Sequence, residues 1–200
     1  MDTTAVQRSG PARIAGIVGL VGALLGLAVT VYDLLTLPIE VSMTASVRYA
    51  LLHLAAIIAL GGLAALGAVG TAWWGRVGIG AAILGLVVLI GAEFIQPHDP
   101  TMAGTMFAIA PLVTGPGLVA AGVAVLQAKR WSGWRRFVPL ACGAYLLVVF
   151  VPVMISTGND IGFLAAVTGW DLGLAALGIA VAQEASASTE ARARARARIA

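Results

Sequence analysis

The chain has 200 residues, 60% of them hydrophobic and only 10% charged, with a net charge of +3. A soluble domain carries about a quarter charged residues, and one with so few would expose apolar patches large enough to aggregate. The composition excludes an ordinary soluble fold, and the lone Cys142 excludes an intramolecular disulfide or a thiolate cluster.

A helix needs about 20 apolar residues to cross the roughly 30 Å hydrocarbon layer, and six stretches qualify, at 12–36, 46–70, 76–95, 105–127, 136–156 and 161–183. They predict an all-α, six-helix transmembrane bundle spanning 12–183, with a short cytoplasmic segment at 1–11 and a basic cytoplasmic tail at 184–200. The first span follows Arg8 and Arg13 and stays uncharged from 14 to 32. That is longer than the 7–15 apolar residues of a secretory leader, so it reads as a span that is retained. Tyr32 and Asp33 close it. The second span opens with Arg48, and Tyr49 and His53, four residues apart, share one helical face.

Trp73-Trp74-Gly75 precedes the third span, Glu93 closes it, and Gln96-Pro97-His98-Asp99-Pro100 forms the next turn. The fourth span carries Thr114-Gly115-Pro116-Gly117. Proline leaves a carbonyl without its donor and glycine permits unwinding, as in the broken helices that mark mid-membrane sites in transporters. The sixth span holds Asp171 near its middle, in Thr168-Gly169-Trp170-Asp171. The tail ends in four Ala-Arg pairs, with Arg192, Arg194, Arg196 and Arg198 placed to meet an anionic leaflet; a solvated tail is the other reading.

Short loops rich in Lys and Arg stay cytoplasmic. With both termini inside, the inner side collects eleven of the twelve cations and the outer side only Arg48. Trp73, Trp74, Trp131 and Trp134 then gather at the inner interface. Two offsets hint at duplicated hairpins. Gly62, Ala64, Leu66, Ala68, Trp74 and Arg76 recur 60 residues on, and Gly117-Leu118, Gly122, Ala124, Val125 and Gln127 recur 56 residues on. Chance identity in an Ala, Gly, Leu and Val alphabet remains the alternative. Small residues four apart, namely Gly22 and Gly26, Gly78 and Ala82, Ala120 and Ala124, and Gly178 and Ala182, offer close packing within the bundle or against a second copy or a membrane partner.

The stretch from Gly122 to Leu140, through Lys129-Arg130-Trp131-Ser132-Gly133-Trp134-Arg135-Arg136, is similar to a hairpin of uncharacterised bacterial, especially actinobacterial, multi-pass membrane proteins. The resemblance implies a bacterial cytoplasmic membrane and transfers no activity or site.

Ionisable groups inside spans cost about 2.5–3.5 kcal/mol at the centre and mark functional positions by default. Asp171 must face the interior, find a partner or carry a proton. Asp33, Arg48, His53 and Glu93 fall in the same outer half, and the hypothesis that joins them is an outward-facing vestibule leading to Asp171, with Thr114 on its wall. The plainer reading places Asp33, Arg48 and Glu93 at helix ends among headgroups, and His53 as a packed, hydrogen-bonded side chain. No metal or cofactor is expected, because two histidines and scattered carboxylates lack ligand spacing. No catalytic motif occurs, and nucleic-acid binding would need a folded reader.

Three functions are compatible with this pattern. They are a structural or regulatory membrane subunit, a small transporter or channel-like permease using the vestibule, and a membrane-embedded enzyme. A reporter fused after Ala200 should prove cytoplasmic in a periplasm-versus-cytoplasm activity assay, and an extracytoplasmic signal would invert the whole topology.

Overall fold

The structure, a computed structural model, describes residues 9–39, 41–156 and 160–197. Among them six helical spans are long and apolar enough to cross a membrane. They are α1 (Ser9–Leu35), α2 (Met43–Ala65), α3 (Trp73–Ile95), α4 (Pro100–Ala128), α5 (Gly133–Ser156) and α6 (Asp160–Ala197). A helix satisfies its backbone groups within one segment, which hydrocarbon demands. Alternate spans run in opposite directions, so the starts of α1, α3 and α5 share one end with the last turns of α6, here the tail end. The loops after α1, α3 and α5 lie at the far end.

Capping fixes the far-end starts. The Ser42 hydroxyl accepts from the Ala45 N–H at 3.2 Å, and the Asp99 carboxylate accepts from the Met102 N–H at 2.9 Å with Pro100 entering the first turn. α2 stops at Ala65, short of the expected 70, because a turn through Gly67 and Gly70, both at φ +62°, reverses the chain there. Arg130 and Arg76 donate to the Gly67 and Gly70 carbonyls, placing two of the inner-side cations on the turn itself.

α4 does not unwind at Thr114-Gly115-Pro116-Gly117; it continues as one α-helix through both Pro111 and Pro116. The irregular span is α5. It opens with a 3-10 turn over Gly133–Phe137, is α-helical over Val138–Tyr145, widens to a π-turn over Leu146–Phe150 and resumes as α-helix over Val151–Ser156. Pro152 accounts for this. It brings no N–H to its turn and crowds the carbonyl four residues back, and a widened turn relieves both.

α6 runs past 183 to Ala197. The Glu184 carboxylate accepts from the Ser132 N–H at 3.2 Å and pairs with Arg135 at 3.1 Å, which ties the start of the tail to the α4–α5 turn. Arg194 pairs with Glu190 one turn earlier at 3.6 Å. The side chains of Arg192 and Arg196, and all of Arg198, lie outside the described residues. Trp73 and Trp134 are exposed at the tail end, as an interfacial belt requires, but Trp131 is buried in the core and belongs to packing.

Each helix packs against its neighbours in sequence, and α1 closes the ring on α6. The closest approaches are glycine seams in the tail half. A Cβ on Gly16 would lie 2.7 Å from the Gly178 carbonyl oxygen, and one on Gly178 equally close to that of Gly16; Gly78 and Gly117 stand in the same relation at 2.6 Å. Every small-residue pair named from the sequence meets another helix of this chain. Gly22 meets Ala55, Gly26 meets Asp171, and Gly75 meets Ala124. Below the centre the ring is plugged by Leu60, Leu63, Leu118, Leu177 and Val181, all almost completely buried.

Overpacking a seam costs about 1–3 kcal/mol. Gly117→Val should therefore lower the melting temperature of the purified protein by several degrees, whereas Gly80→Val, which meets nothing within 4 Å, should leave it unchanged.

Candidate functional site

Above the plug the helices part and enclose a cavity of about 430 Å³. It reaches from Pro38, Ile39, Gln96 and Asp160 at the far end down to Gly19 and Leu174, and all six helices line it. Its polar lining comes from Thr30 and Asp33 of α1, Tyr49 and His53 of α2, Glu93 and Gln96 at the end of α3, Thr114 of α4, and Asp160 and Asp171 of α6.

Asp33 is buried inside the bundle. It is 1% exposed, accepts the Tyr49 hydroxyl and pairs with Arg48 at 3.2 Å. The Arg48 guanidinium in turn lies over the rings of Tyr32 and Tyr49, with its carbon 5.6 and 5.1 Å from their centroids. A delocalised cation stacked on two rings is held in one orientation, so the buried carboxylate has a fixed counter-charge. Arg48 itself lies behind the cavity wall and does not line it.

Glu93 is likewise buried. Its carboxylate faces His53 Nε2 at 3.4 Å, and its backbone carbonyl accepts the Ser46 hydroxyl. His53 thus belongs to a pair that bridges α2 and α3. His98 lies in the turn after α3, where its N–H donates to the Ile95 carbonyl. Its neighbour Asp99 caps α4. Among the described residues no three His, Cys, Asp or Glu side chains are grouped to hold a metal ion.

Asp171 has the least support. It is 7% exposed, and among the described residues its one hydrogen bond is from the Thr30 hydroxyl at 3.5 Å. It lies about 16 Å along α6 from Asp160, at a rise of about 1.5 Å per residue. Gly26 makes room for it, since a Cβ there would stand 2.8 Å from a carboxylate oxygen. Thr114 is 1% exposed, and its hydroxyl abuts Gly85 without a hydrogen-bond partner.

The apolar walls are aromatic as well as aliphatic. Trp170 adjoins Asp171 in sequence, Phe107 comes from α4, and Phe150 meets Phe163 edge to face with centroids 6.3 Å apart. The π-turn of α5 supplies Leu146 and Phe150 to this wall. Tyr145 turns away from the cavity and donates to the Ala166 carbonyl at 2.9 Å.

The structure brings Asp33, His53, Glu93, Thr114 and Asp171 around one space and keeps Arg48 behind Asp33. Sequence reasoning missed Thr30, Asp160 and the aromatic wall. Thr30 was legible as the one Ser or Thr in the uncharged run from 14 to 32; the aromatics carried no signal that separates lining from packing.

No protein-family model matches this chain, and neither a curated protein nor a solved structure matches it.

Removing one partner of a buried ion pair costs about 3–5 kcal/mol, mostly from the charge left behind. Arg48→Met should destabilise the protein by that order in a denaturation assay, and adding Asp33→Asn should recover much of the loss. Additive losses in the double variant would show that the pair is not coupled.

Proposed function

We propose that this chain is a small multi-pass permease of the cytoplasmic membrane that receives its ligand from the outer side. The observation that carries the reading is the cavity, continuous from the far end to Asp171 and walled by every helix of the ring. The cation asymmetry of the sequence assigns the tail end to the cytoplasm and hence the cavity mouth to the outside. A bundle built only for support has no use for a space of this size, and its polar lining is costly in lipid. Ligand sites are concave, mostly apolar and furnished with a few convergent polar groups, which describes this one. Passage then needs the plug of Leu60, Leu118 and Leu177 to part while the far end closes, the alternation common to transporters with central sites. The widened turn of α5 lies in the cavity wall, where a helix is most easily rearranged.

The subunit reading rests on the small-residue faces and the basic tail; the faces meet helices of the same chain, which leaves the tail as its support.

Thr30→Cys in a Cys142→Ala background tests the permease. A membrane-impermeant trimethylammonium methanethiosulfonate should label it from the outside and, more slowly, from the inside in inverted vesicles. The unaltered chain, whose buried Cys142 lies off the cavity, should stay unlabelled. Labelling from the outside alone would reduce the protein to a binding module, and labelling from neither side would remove the reading.

A further inference from the structure

We infer that the cavity takes a monovalent organic cation with an apolar, preferably aromatic, body, seated on Asp171. The inference rests on the reading of the cavity as an outward-open ligand site and names the class of ligand.

The charges on the wall do not cancel. Asp33 is matched by Arg48 from behind, and Glu93 faces His53. Asp171 has only a long bond from a neutral hydroxyl, and among the described residues no Lys or Arg lines the cavity. Asp160 adds a further negative charge at the exposed rim. A carboxylate removed from water is completed either by a proton or by a cation. Among the described residues no basic side chain stands at this point, whereas Arg48 is set against Asp33 and the His53 imidazole against Glu93.

The second observation is the aromatic lining of the same cavity. Trp170, Phe107, Phe150 and Phe163 present ring surface to the same space, and ring faces attract cations. A hydrated metal ion needs a shell of oxygen ligands, which these walls do not offer. An anion would meet unmatched negative charge and, among the described residues, no Lys or Arg. An ammonium carrying a hydrophobic group satisfies both features at once, its charge on Asp171 and its body against the rings. A rim carboxylate at Asp160 would draw such a ligand toward the mouth, as clefts lined by one sign of charge do.

Benzyltrimethylammonium and phenylmethanesulfonate, which share an aromatic body and differ in the sign of their charge, make the test. In equilibrium dialysis against the full-length protein in neutral detergent, the ammonium should bind saturably, about tenfold or more tighter than the sulfonate. Asp171→Asn should cut its affinity by about tenfold or more at an unchanged melting temperature, and Asp171→Glu should keep the preference for the cation. Equal or tighter binding of the sulfonate overturns the inference. So does a folded Asp171→Asn protein that binds the ammonium as well as the unaltered chain does. If Asp171→Asn does not fold, the preference between the two probes in the unaltered protein still decides. Binding of neither probe, with Thr30→Cys still labelled from both sides, removes the cation assignment and leaves the permease. Loss of labelling with the preference intact removes the permease and leaves the cation site.

Discussion

Hydrocarbon gives apolar helices no reason to associate, so this bundle depends on backbones that come close enough for dispersion to act along their length. Two reciprocal glycine contacts provide that, Gly16 with Gly178 and Gly78 with Gly117. Both lie in the tail half. With α1 drawn to α6 and α3 to α4 at that level, the leucine and valine side chains between them fill the axis of the ring. Nearer the far end the glycines face side chains instead of one another, Gly26 meeting Asp171, Gly85 meeting Thr114 and Gly91 meeting Met106, and the cavity opens between the helices. The cavity follows from where the small residues are placed as much as from what lines it.

The buried polar groups follow a second rule. Each acid in the far half is supported by a different helix. Asp33 of α1 is held by Arg48 and Tyr49 of α2, Glu93 of α3 by His53 of α2, and Asp171 of α6 by Thr30 of α1. These links stitch the part of the ring where glycine seams are absent. They are graded in completeness: Asp33 has a cation, a hydroxyl and two aromatic rings behind that cation, Glu93 has an imidazole, and Asp171 has one distant hydroxyl. The deepest acid is the least satisfied, the reverse of what stability alone would select.

The number of spans was legible because a membrane helix is defined by length and apolarity, and both are local. The caps that Ser42 and Asp99 set on α2 and α4 are just as local. What escaped depended on three dimensions. The sequence placed Glu93 and Asp33 equally well in headgroups or in the interior, since a residue near a helix end shows its face only once the neighbours are packed. Pro116 looked like a break, yet α4 absorbs it and Pro111 without interruption, while Pro152 carries the distortion into α5. Trp131 looked interfacial like Trp134, and only the turn at Ser132, fastened to Glu184, folds it into the core. Of the candidate site, the acids were visible as misplaced charges, but their pairing and the aromatic wall were not.

The ring closes between its first and last members. Thr30 and Asp171, the pair that joins α1 to α6 beside the cavity, are 141 residues apart in the chain. During synthesis α1 enters the bilayer long before α6 exists, and through that interval Gly16 has no helix to meet, although Gly19 and Gly22 meet α2. Asp171 must in turn pass into the membrane within the final span, where the one hydroxyl that will receive it is already waiting. A nascent chain halted before α6 would hold five helices with an open seam and no floor-to-rim wall on that side. Assembly of the site therefore waits for α6, and a chain without it has neither Asp171 nor the partner of Gly16.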